Sequence, residues 1–457
     1  MNAKTQTAQV SGKGLKLNWG FTFLIGLGFF GIEILWRLYN NFVPLYLQSG
    51  RASFDADQTA PILGFGLSTL VSGLIMGLDN LAALFLLPII GAISDRTFTR
   101  IGRRMPFILA CTPIAALSFA LIPLAPALID PANSGVVSAM PGLFALFVVV
   151  LSVMLLAMAC FRTPVVSLMP DLTPSPLRSK ANGVINFMGG LAGVIGTLAL
   201  SPLFDTSPWI PFVAGAVILC VAVAVLFALV REREASIVIG EGEEREGLKV
   251  LKKLRGLPAA NRRTLAFLML AIFCWFVAFN GIDTWFSSFG VTVLDLTPGE
   301  AGQIFSVALI AFIVFAIPAG YIGTRLGRKW TIVAGLALFT GILIVINLLQ
   351  NLAVITVLLA IGGASWALVN INSLPMIVDT STDERMLGTY TGMYYIASQF
   401  AAILGPAITG LAVDLSGGDF RMIFVVVPAF FGLAILSMLF VRRGESKRVD
   451  AAGRAIE

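Results

Sequence analysis

The stretch Gly91–Arg104, GAISDRTFTRIGRR, decides the fold of this chain. It is a short basic segment between two long apolar runs, and a similar segment returns 229 positions after its start as Gly320–Lys329, GYIGTRLGRK. One position differs in kind, because Asp95 in the first copy becomes Thr324 in the second. A repeat at about half the chain length predicts two homologous halves related by a pseudo-twofold axis.

The composition predicts a membrane protein. Of the 457 residues, 57% are hydrophobic and only 12% are charged, whereas soluble domains carry roughly 25% charged residues. A helix that crosses a bilayer needs about 20 apolar residues. Twelve runs of that kind follow one another and are called spans 1 to 12: roughly 19–48, 62–93, 105–127, 140–168, 181–204, 209–230, 264–291, 301–322, 330–350, 352–377, 386–412 and 422–441.

The placement of the basic residues predicts the topology. Of the 31 Lys and Arg residues, Arg51 and Arg421 fall in outer loops and Arg37 and Arg162 within spans, if the N-terminus is cytoplasmic. The other 27 then fall in cytoplasmic segments, which is the positive-inside asymmetry. This predicts a multi-pass protein of the plasma (cytoplasmic) membrane, such as a cell inner membrane, with both termini in the cytoplasm. The net charge of +6 is therefore a topological signal and gives no support to nucleic-acid binding.

The predicted organisation is an all-α fold of two pseudo-symmetric six-helix bundles. A cytoplasmic tail covers residues 1–17, the bundles cover residues 18–230 and 264–441, and a second tail covers residues 442–457. The linker between the bundles, residues 231–263, is the one long hydrophilic segment. Its leucines and valines lie among basic residues, which is typical of a short amphipathic helix on the inner membrane surface. A regulatory partner site on the linker is the alternative.

Several residue types give no support to catalysis or to cofactor binding. The chain has no histidine, and its four cysteines lie inside apolar runs without metal-site or disulfide spacing. A glycine pattern at Gly26, Gly28 and Gly31 matches a dinucleotide loop, but it lies within an apolar helix with no preceding strand. We therefore expect no enzyme activity, no metal site and no cofactor.

Ionisable residues inside the spans are the first candidates for function. A charge at mid-bilayer costs about 2.5–3.5 kcal/mol on insertion scales, so such residues persist when they are paired or functional. The proton-coupling candidates are Glu33, Asp79, Arg162 and Asp283. The alternative for these groups is a permanent ion pair that only locks helices together.

Polar and aromatic residues on the same spans are candidates for binding a solute. Arginine guanidinium groups and side-chain amides can bind hydroxyl groups, and aromatic rings can stack on the C–H face of a sugar ring. The substrate-binding candidates are Trp36, Arg37, Asn40, Asn80, Arg162, Asn280, Asp283, Trp285, Trp366, Asn370, Tyr394 and Gln399. Each aromatic residue taken alone can equally be a packing residue or an interface anchor.

The two basic segments and the span ends near them are candidates for a cytoplasmic gate. Charged groups at helix ends can bridge neighbouring spans in one conformation and separate in another. The gate candidates are Gly91, Asp95, Arg96, Gly102, Arg103, Arg104, Asp171, Arg178, Arg325, Gly327, Arg328, Asp379 and Arg385. Since the second copy lacks the aspartate, we do not expect the two halves to close symmetrically.

The doubled basic motif resembles that of the major facilitator superfamily over nearly the whole chain. The stretch SDRTFTRIGRRMPFI, Ser94–Ile108, is similar to the corresponding loop of plant sucrose–proton symporters and their bacterial relatives. Those proteins lie close to the glycoside–pentoside–hexuronide cation symporters, whose melibiose members end span 4 much as Ser167–Pro170 does. Asp283–Trp285 also resembles a stretch of the sucrose carriers in span 7.

The sequence departs from these families at two places. The sodium-coordinating aspartate pair of the melibiose branch is absent, since the equivalent window is Ala83–Leu87 and Asp79 lies a turn earlier. The arginine of the sucrose carriers' span 4 is matched by Arg162 with a displacement of about one turn. The resemblance therefore implies coupling to protons in preference to sodium, and transport of a neutral sugar.

The leading functional hypothesis is proton-coupled symport of a glycoside or oligosaccharide by alternating access. An ionised carboxylate would pair with an arginine, and its protonation would free the guanidinium to donate to sugar hydroxyls. The expected partners are a small-molecule substrate, a proton and the lipid bilayer, with the protein acting as a monomer. One alternative is an exporter or antiporter of another small organic solute, and another is a non-transporting membrane sensor that signals through the central linker.

Overall fold

The computed structural model describes residues 8–11, 14–55, 62–174, 177–232, 259–349, 351–380, 387–441, 448–449 and 455–456. Within these ranges the chain is almost wholly helical, and twelve helices are long and apolar enough to cross a membrane. This confirms the all-α class and the number of spans. The predicted linker helix and most of the linker itself lie outside the described residues.

The principal helices of spans 1 to 12 are labelled α1 to α12. Their bounds are Trp19–Gln48, Thr69–Arg96, Met105–Ala120, Pro141–Leu172, Arg178–Val194, Trp209–Leu229, Ala259–Val293, Pro298–Leu326, Arg328–Leu349, Leu352–Asp379, Leu387–Leu415 and Ile423–Leu439.

Short elements extend or connect these helices. Span 5 continues past α5 as a π-helix, Ile195–Leu200, and a helical turn, Leu203–Thr206. Other short helices are Ala52–Asp55, Leu124–Ala127, Pro131–Asn133, Val137–Ala139 and Phe420–Met422. Near the termini, strands β1 and β2 (Ala8–Ser11 and Gly14–Leu17) pair antiparallel, as do β3 and β4 (Arg448–Val449 and Ala455–Ile456).

Helix α2 begins at Thr69, later than the apolar run that predicted it from residue 62. The residues just before it donate their backbone amides to the end of α1 instead of building a helix. Phe65 N–H donates to the Tyr46 carbonyl oxygen at 3.0 Å, and Gly66 N–H donates to that of Ser49 at 2.8 Å. Gly66 adopts a φ of +63°, a left-handed conformation that glycine reaches without steric cost.

The basic segment Gly91–Arg104 is itself partly helical. Gly91–Arg96 forms the last turns of α2, and the reversal is confined to residues 97–104. Thr99 and Gly102 close this reversal with paired backbone hydrogen bonds of 3.2 and 3.3 Å. Gly102 has a φ of +123°, and the corresponding Gly327 has a φ of +93°. Both motif glycines therefore occupy backbone conformations that other residues rarely adopt.

The chain divides into two compact units. Unit 1 comprises residues 1–67, 78–242 and 295–306, and unit 2 comprises residues 68–77, 243–294 and 307–457. These units follow the predicted halves except at the first turns of α2 and α8, which belong to the unit of the opposite half.

The packing inside the two units repeats in the same order. In unit 1, α1 packs against α5 and α6, and α4 and α6 both contact α3. In unit 2, α7 packs against α11 and α12, and α10 and α12 both contact α9. These helices thus keep the neighbours of their counterparts six spans away, as expected for a duplicated bundle.

Candidate functional site

In unit 1, the polar face of α1, which carries Glu33 and Arg37, lies against two glycines of span 5. A Cβ atom added to Gly189 would lie 3.4 Å from Cγ of Glu33, and one added to Gly196 would lie 3.2 Å from Cγ of Arg37. Glycine at these positions leaves room for the stems of two ionisable side chains between the helices. Both Glu33 and Arg37 remain half-buried, so each keeps some accessible surface.

Arg37 is bordered by two features that the sequence did not point to. Its guanidinium carbon lies 5.6 Å from the ring centroid of Phe305, within the range of a cation–π contact. Beside it, span 5 changes from α-helix to π-helix at Ile195–Leu200, a distortion that is frequent at functional sites. One turn further along α1, Asn41 Nδ2 donates to Ser201 Oγ at 3.0 Å in a buried contact.

Arg162 lies in the C-terminal half of α4, ten residues before the helix ends at Leu172. It is half-buried, and no hydrogen bond or ion pair joins it to another residue within the described part of the chain. The neighbouring Thr163 donates from its hydroxyl to the Leu87 carbonyl of α2 at 3.4 Å. The side chain of Asp79, also on α2, is not among those described.

The remaining candidates of unit 1 lie on α1 and α2. The Trp36 ring meets that of Tyr39 edge to face, with centroids 5.5 Å apart. Trp36 Nε1 is buried and has no hydrogen-bond acceptor among the residues that the structure describes. Asn40 and Asn80 are half-buried.

In unit 2, an aromatic cluster joins α7, α10 and α11. The rings of Phe279 and Trp366 are stacked, with centroids 4.1 Å apart and planes 4° from parallel. Phe276 meets both Trp366 and Tyr394 edge to face, at 5.7 and 5.9 Å. Tyr394 Oη is 3.1 Å from Ser373 Oγ, which fixes the end of its ring.

Polar candidates lie on the same three helices as this cluster. Asn280 donates from Nδ2 to the Phe276 carbonyl of its own helix at 2.7 Å, which leaves its amide oxygen for other donors. Asn280, Asp283, Asn370 and Gln399 are all half-buried. Asn372, two residues after Asn370, is instead buried and donates to the carbonyl oxygens of Ala319 and Leu368.

Trp285 is the most deeply buried of the aromatic candidates. Its side chain is fully buried. Its Nε1 donates to the Pro406 carbonyl and to Thr409 Oγ1, both at 3.0 Å. In this conformation the ring packs α7 against α11 and offers no surface for stacking on a solute.

The first basic segment forms a buried charge network at one end of unit 1. Arg104, which is 2% exposed, donates from Nε to Asp171 Oδ2 at 2.8 Å and also binds Asp95 and the Ser94 hydroxyl. Arg103 makes a second ion pair with Asp171 at 3.3 Å. Burial lowers the pKa of Arg104, but Asp171 and Asp95 raise it by more, so the pKa is raised overall.

Glu232, just after α6, completes this network. Its carboxylate accepts from the backbone amides of Arg103, Arg104 and Met105 at 2.8 to 3.1 Å. These amides begin α3, where backbone N–H groups lack partners within the helix. Gly102 packs so closely on the same carboxylate that an added Cβ would collide with it.

The second basic segment makes different contacts. Lys329 Nζ donates to the carbonyl oxygens of Leu439 and Val441, at 3.2 and 2.7 Å, where α12 ends. Arg325 is exposed and lies over the Tyr321 ring at 4.3 Å. Thr324 only bonds back to the Tyr321 carbonyl, at 2.8 Å. In the first half the acidic Glu232 caps the start of α3, whereas in the second half the basic Lys329 caps the end of α12.

The structure thus places part of the predicted gate in one network. The residues that meet there are Asp95, Gly102, Arg103, Arg104 and Asp171. Of the other gate candidates, Arg96 is exposed, Gly91 is buried within α2, and Arg328 is half-buried at the start of α9. The side chains of Arg178 and Asp379, and the whole of Arg385, are outside the described residues.

Several contact residues were absent from the predicted sets. They are Asn41, Ser94, Ser201, Glu232, Phe276, Phe279, Phe305 and Ser373. Of these, only Asn41 carried a sequence signal, because it follows Glu33 and Arg37 at intervals of four residues and so shares their face of span 1.

Comparison with known protein families gives this arrangement its context. The model described as MFS/sugar transport protein matches residues 24–442. The chain belongs to that family. As a member of the MFS/sugar transport family it is a membrane transporter of the major facilitator type, and the predicted superfamily is confirmed.

Two curated proteins show how this family member relates to others. It is 25% identical over 400 residues to solute carrier family 45 member 3 of Macaca fascicularis, covering 76% of this chain and 68% of that protein. It is 24% identical over 286 residues to the cis,cis-muconate transport protein of Acinetobacter baylyi, covering 60% and 67%.

Solved structures agree on the fold of this MFS/sugar transport protein. The nucleoside transporter NupG matches with a TM-score of 0.65 and 13% identity, over 92% of this chain and 97% of that one. An inward-facing bacterial homologue of the human lysosomal transporter Spinster matches with a TM-score of 0.63 and 14% identity, over 92% and 94%. At these identities the likeness shows the shared transporter fold.

Proposed function

We propose that this transporter carries a neutral sugar, a glycoside or an oligosaccharide, into the cell together with a proton. The observation that carries the proposal is the polar face of α1 within unit 1, where Glu33 and Arg37 are spaced one turn apart and stay half-buried against the glycines of span 5. Such groups inside a membrane bundle mark substrate or ion pathways. The family description, sugar transport, supports the class of substrate.

In the proposed mechanism, carboxylates exchange the proton and arginines bind the sugar. Glu33 and Asp79 are the proton acceptors, with Asp283 as a further candidate. When a carboxylate takes up a proton, it releases its arginine, Arg37 or Arg162, to donate paired hydrogen bonds to vicinal hydroxyls. Each binding event then favours the other, which is the thermodynamic requirement for symport.

The remaining predicted ligands supply amides and ring faces. Trp36, Asn40 and Asn80 are the candidates in unit 1. Those in unit 2 are Asn280, Trp366, Asn370, Tyr394 and Gln399. The stacked pair of Phe279 and Trp366 keeps an aromatic plane fixed on α7 and α10, and a fixed plane loses little entropy on binding.

The gate contacts belong to the same proposal. The network of Arg104 with Asp95 and Asp171 forms at one end of unit 1. We assign it to one state of the transport cycle, with the basic ends facing the cytoplasm. Breaking its ion pairs would accompany the change to the other state.

The test is uptake by purified protein in liposomes with an inward proton gradient. We expect a labelled disaccharide or glucoside to accumulate against its own gradient, and a protonophore to abolish the accumulation. Glu33→Gln and Asp79→Asn should lose accumulation while retaining sugar counterflow. Asp419→Asn, at an exposed loop aspartate, is the matched control. Full accumulation in both coupling variants would contradict the proton-switch mechanism.

A second candidate is a transporter of a small organic anion, working as an importer or an exporter. Two observations favour it: the name of the Acinetobacter relative, and the half-buried Arg37 and Arg162 within the spans of unit 1, which could bind carboxylates. Competition separates the two candidates. Unlabelled muconate would inhibit uptake of the labelled substrate if that substrate is a dicarboxylate. Under the leading proposal, only sugars would inhibit its uptake.

A further inference from the structure

Two aspartates at the span ends opposite the basic segments bind the starts of other helices. Asp205 lies in the helical turn after span 5, and Asp414 lies in the last turn of α11. Neither belongs to the coupling, binding or gate residues described above. Each occupies its place within one compact unit, and each binds a helix that enters that unit from the other half of the sequence.

In unit 1, Asp205 binds the first residues of α8. Its Oδ1 accepts from the backbone amide of Gly299 at 3.0 Å, and its Oδ2 accepts from the Thr297 hydroxyl at 2.7 Å. Pro298 lies between these two donors and has no N–H group of its own. Thr297 and Glu300 also exchange capping-box hydrogen bonds at 2.9 and 3.2 Å, which fixes the helix start for Asp205.

In unit 2, Asp414 binds the first residues of α2 in the same way. Its Oδ1 accepts from the backbone amide of Thr69 at 3.0 Å, and its Oδ2 accepts from that of Leu70 at 2.7 Å. A carboxylate on two free amides at a helix N-terminus gains both charge-assisted hydrogen bonds and the attraction of the helix dipole.

The two contacts are copies of one another under the repeat of the sequence. The offset of 229 residues that relates Gly91 to Gly320 also places Thr69 on Pro298 and Leu70 on Gly299. An offset of 209 relates Asp205 to Asp414. A fortuitous polar contact would not recur at both equivalent places, so the duplication has kept a carboxylate and its helix start together twice.

The glycines next to the contacts are also related by the repeat. Gly73 and Gly302 stand 229 residues apart. A Cβ added to Gly73 would lie 2.5 Å from the Pro406 carbonyl oxygen, and one added to Gly302 would lie 2.5 Å from Ser201 Oγ. The first turns of α2 and α8 therefore lie close against the later parts of span 11 and span 5, and each aspartate closes the end of such a contact.

We propose that Asp205 and Asp414 are a pair of latches that hold the ends of spans 5 and 8, and of spans 11 and 2, together in this conformation. This rests on the proposed alternating-access transport, in which these ends, on the outer side, separate when the protein opens outward. Both carboxylates must release their helix amides at that step. Weakening either latch then raises the population of the outward-open state, because only the latched state makes these bonds.

The experiment uses the full-length protein in detergent, without sugar or proton gradient. Ser201→Cys reports on the first latch and Ala407→Cys on the second, since both positions are buried beside the contact glycines. Each is placed in a background without the native cysteines and labelled with a water-soluble maleimide. Asp205→Asn and Asp414→Asn test the latches, and Asp419→Asn is the control from an exposed loop.

We expect each Asp→Asn latch variant to raise the labelling rate at its own reporter at least fivefold, with the control unchanged. Unchanged rates in both latch variants would overturn the proposal. A second reporter, the buried native Cys274 of α7 kept as the only cysteine, distinguishes latch release from general unfolding. An equal rise at Cys274 would also overturn the proposal. Since no transport is measured, failure of the sugar or proton assignment leaves this result unaffected.

Discussion

The carboxylate of Glu232 accepts hydrogen bonds from the backbone amide of Arg104, at 2.9 Å to one oxygen and 3.1 Å to the other. The Arg104 side chain meanwhile binds Asp171 and Asp95. One residue thus connects the end of span 6, the start of α3, the end of α4 and the end of α2.

Replacing Glu232 should destabilise the start of α3. Glu232→Gln keeps one acceptor but loses the charge that faces three backbone amides, and such charged caps contribute about 1–3 kcal/mol. We expect a lower midpoint of thermal unfolding in detergent, and a larger fall for Glu232→Ala. Glu300→Gln, at an exposed cap, should change the midpoint much less. Equal midpoints for the Glu232 and Glu300 variants would contradict the assigned role.

Gly102→Ala should be one of the most damaging small substitutions in the chain. The position has a φ of +123° and packs on the Glu232 carboxylate, so alanine adds backbone strain of about 1–3 kcal/mol and displaces the cap. The check is expression level and unfolding midpoint against Gly142→Ala, where an added Cβ meets no atom within 4 Å. A Gly102 variant as stable as the Gly142 variant would count against this packing.

Asp171→Asn should leave the buried guanidinium of Arg104 with Asp95 as its remaining carboxylate. Removing one partner of a buried ion pair costs about 3–5 kcal/mol in general, and we expect the lower part of that range because Asp95 stays. The double variant with Arg104→Gln should be less destabilised than the two single effects summed. A double-mutant cycle from chemical or thermal unfolding measures this coupling, and an additive result would show that the two side chains act independently.

Arg162→Lys should impair transport although the charge is kept. One ammonium group cannot reproduce the paired, planar donors of a guanidinium, and losing one such bond of about 1.4 kcal/mol corresponds to a roughly tenfold weaker interaction. The measurement is the sugar concentration that gives half-maximal uptake in liposomes. Arg421→Lys, in an exposed loop, is the matched control. Uptake that is unaffected by Arg162→Lys would remove this residue from the site.

Trp285→Phe should mainly lower stability, whereas Trp366→Phe should mainly lower sugar affinity. Trp285→Phe removes the donor to Pro406 and Thr409 inside unit 2, so we expect a loss of about 1–3 kcal/mol of stability with little change in sugar affinity. Trp366→Phe alters the ring stacked on Phe279 and should weaken sugar binding more than it lowers the unfolding midpoint. Titration of binding beside thermal unfolding distinguishes the two, and the reverse pattern would exchange their roles.

The sequence predicted much of the candidate site by residue type but little of it by contact. Intramembrane charges such as Glu33, Arg37 and Arg162 stand out in apolar runs because their burial is costly. Phe279 and Phe305 gave no such signal, since a phenylalanine in a membrane helix is ordinary wherever it lies. Trp285 was indistinguishable from Trp366 by sequence, and only the position of its indole nitrogen against α11 separated them.

By itself, the sequence determined the class, the twelve spans, the duplication and the motif glycines. These features depend on local physics: the length of apolar run that crosses a bilayer, the repeat of GAISDRTFTRIGRR, and the backbone freedom of Gly102 and Gly327. The tertiary structure alone decided which distant side chains meet. Glu232 binds α3 across a sequence separation of 128 residues, and Asp414 binds α2 across 344. Every residue except proline offers a backbone amide, so no local pattern encodes which amide a carboxylate binds.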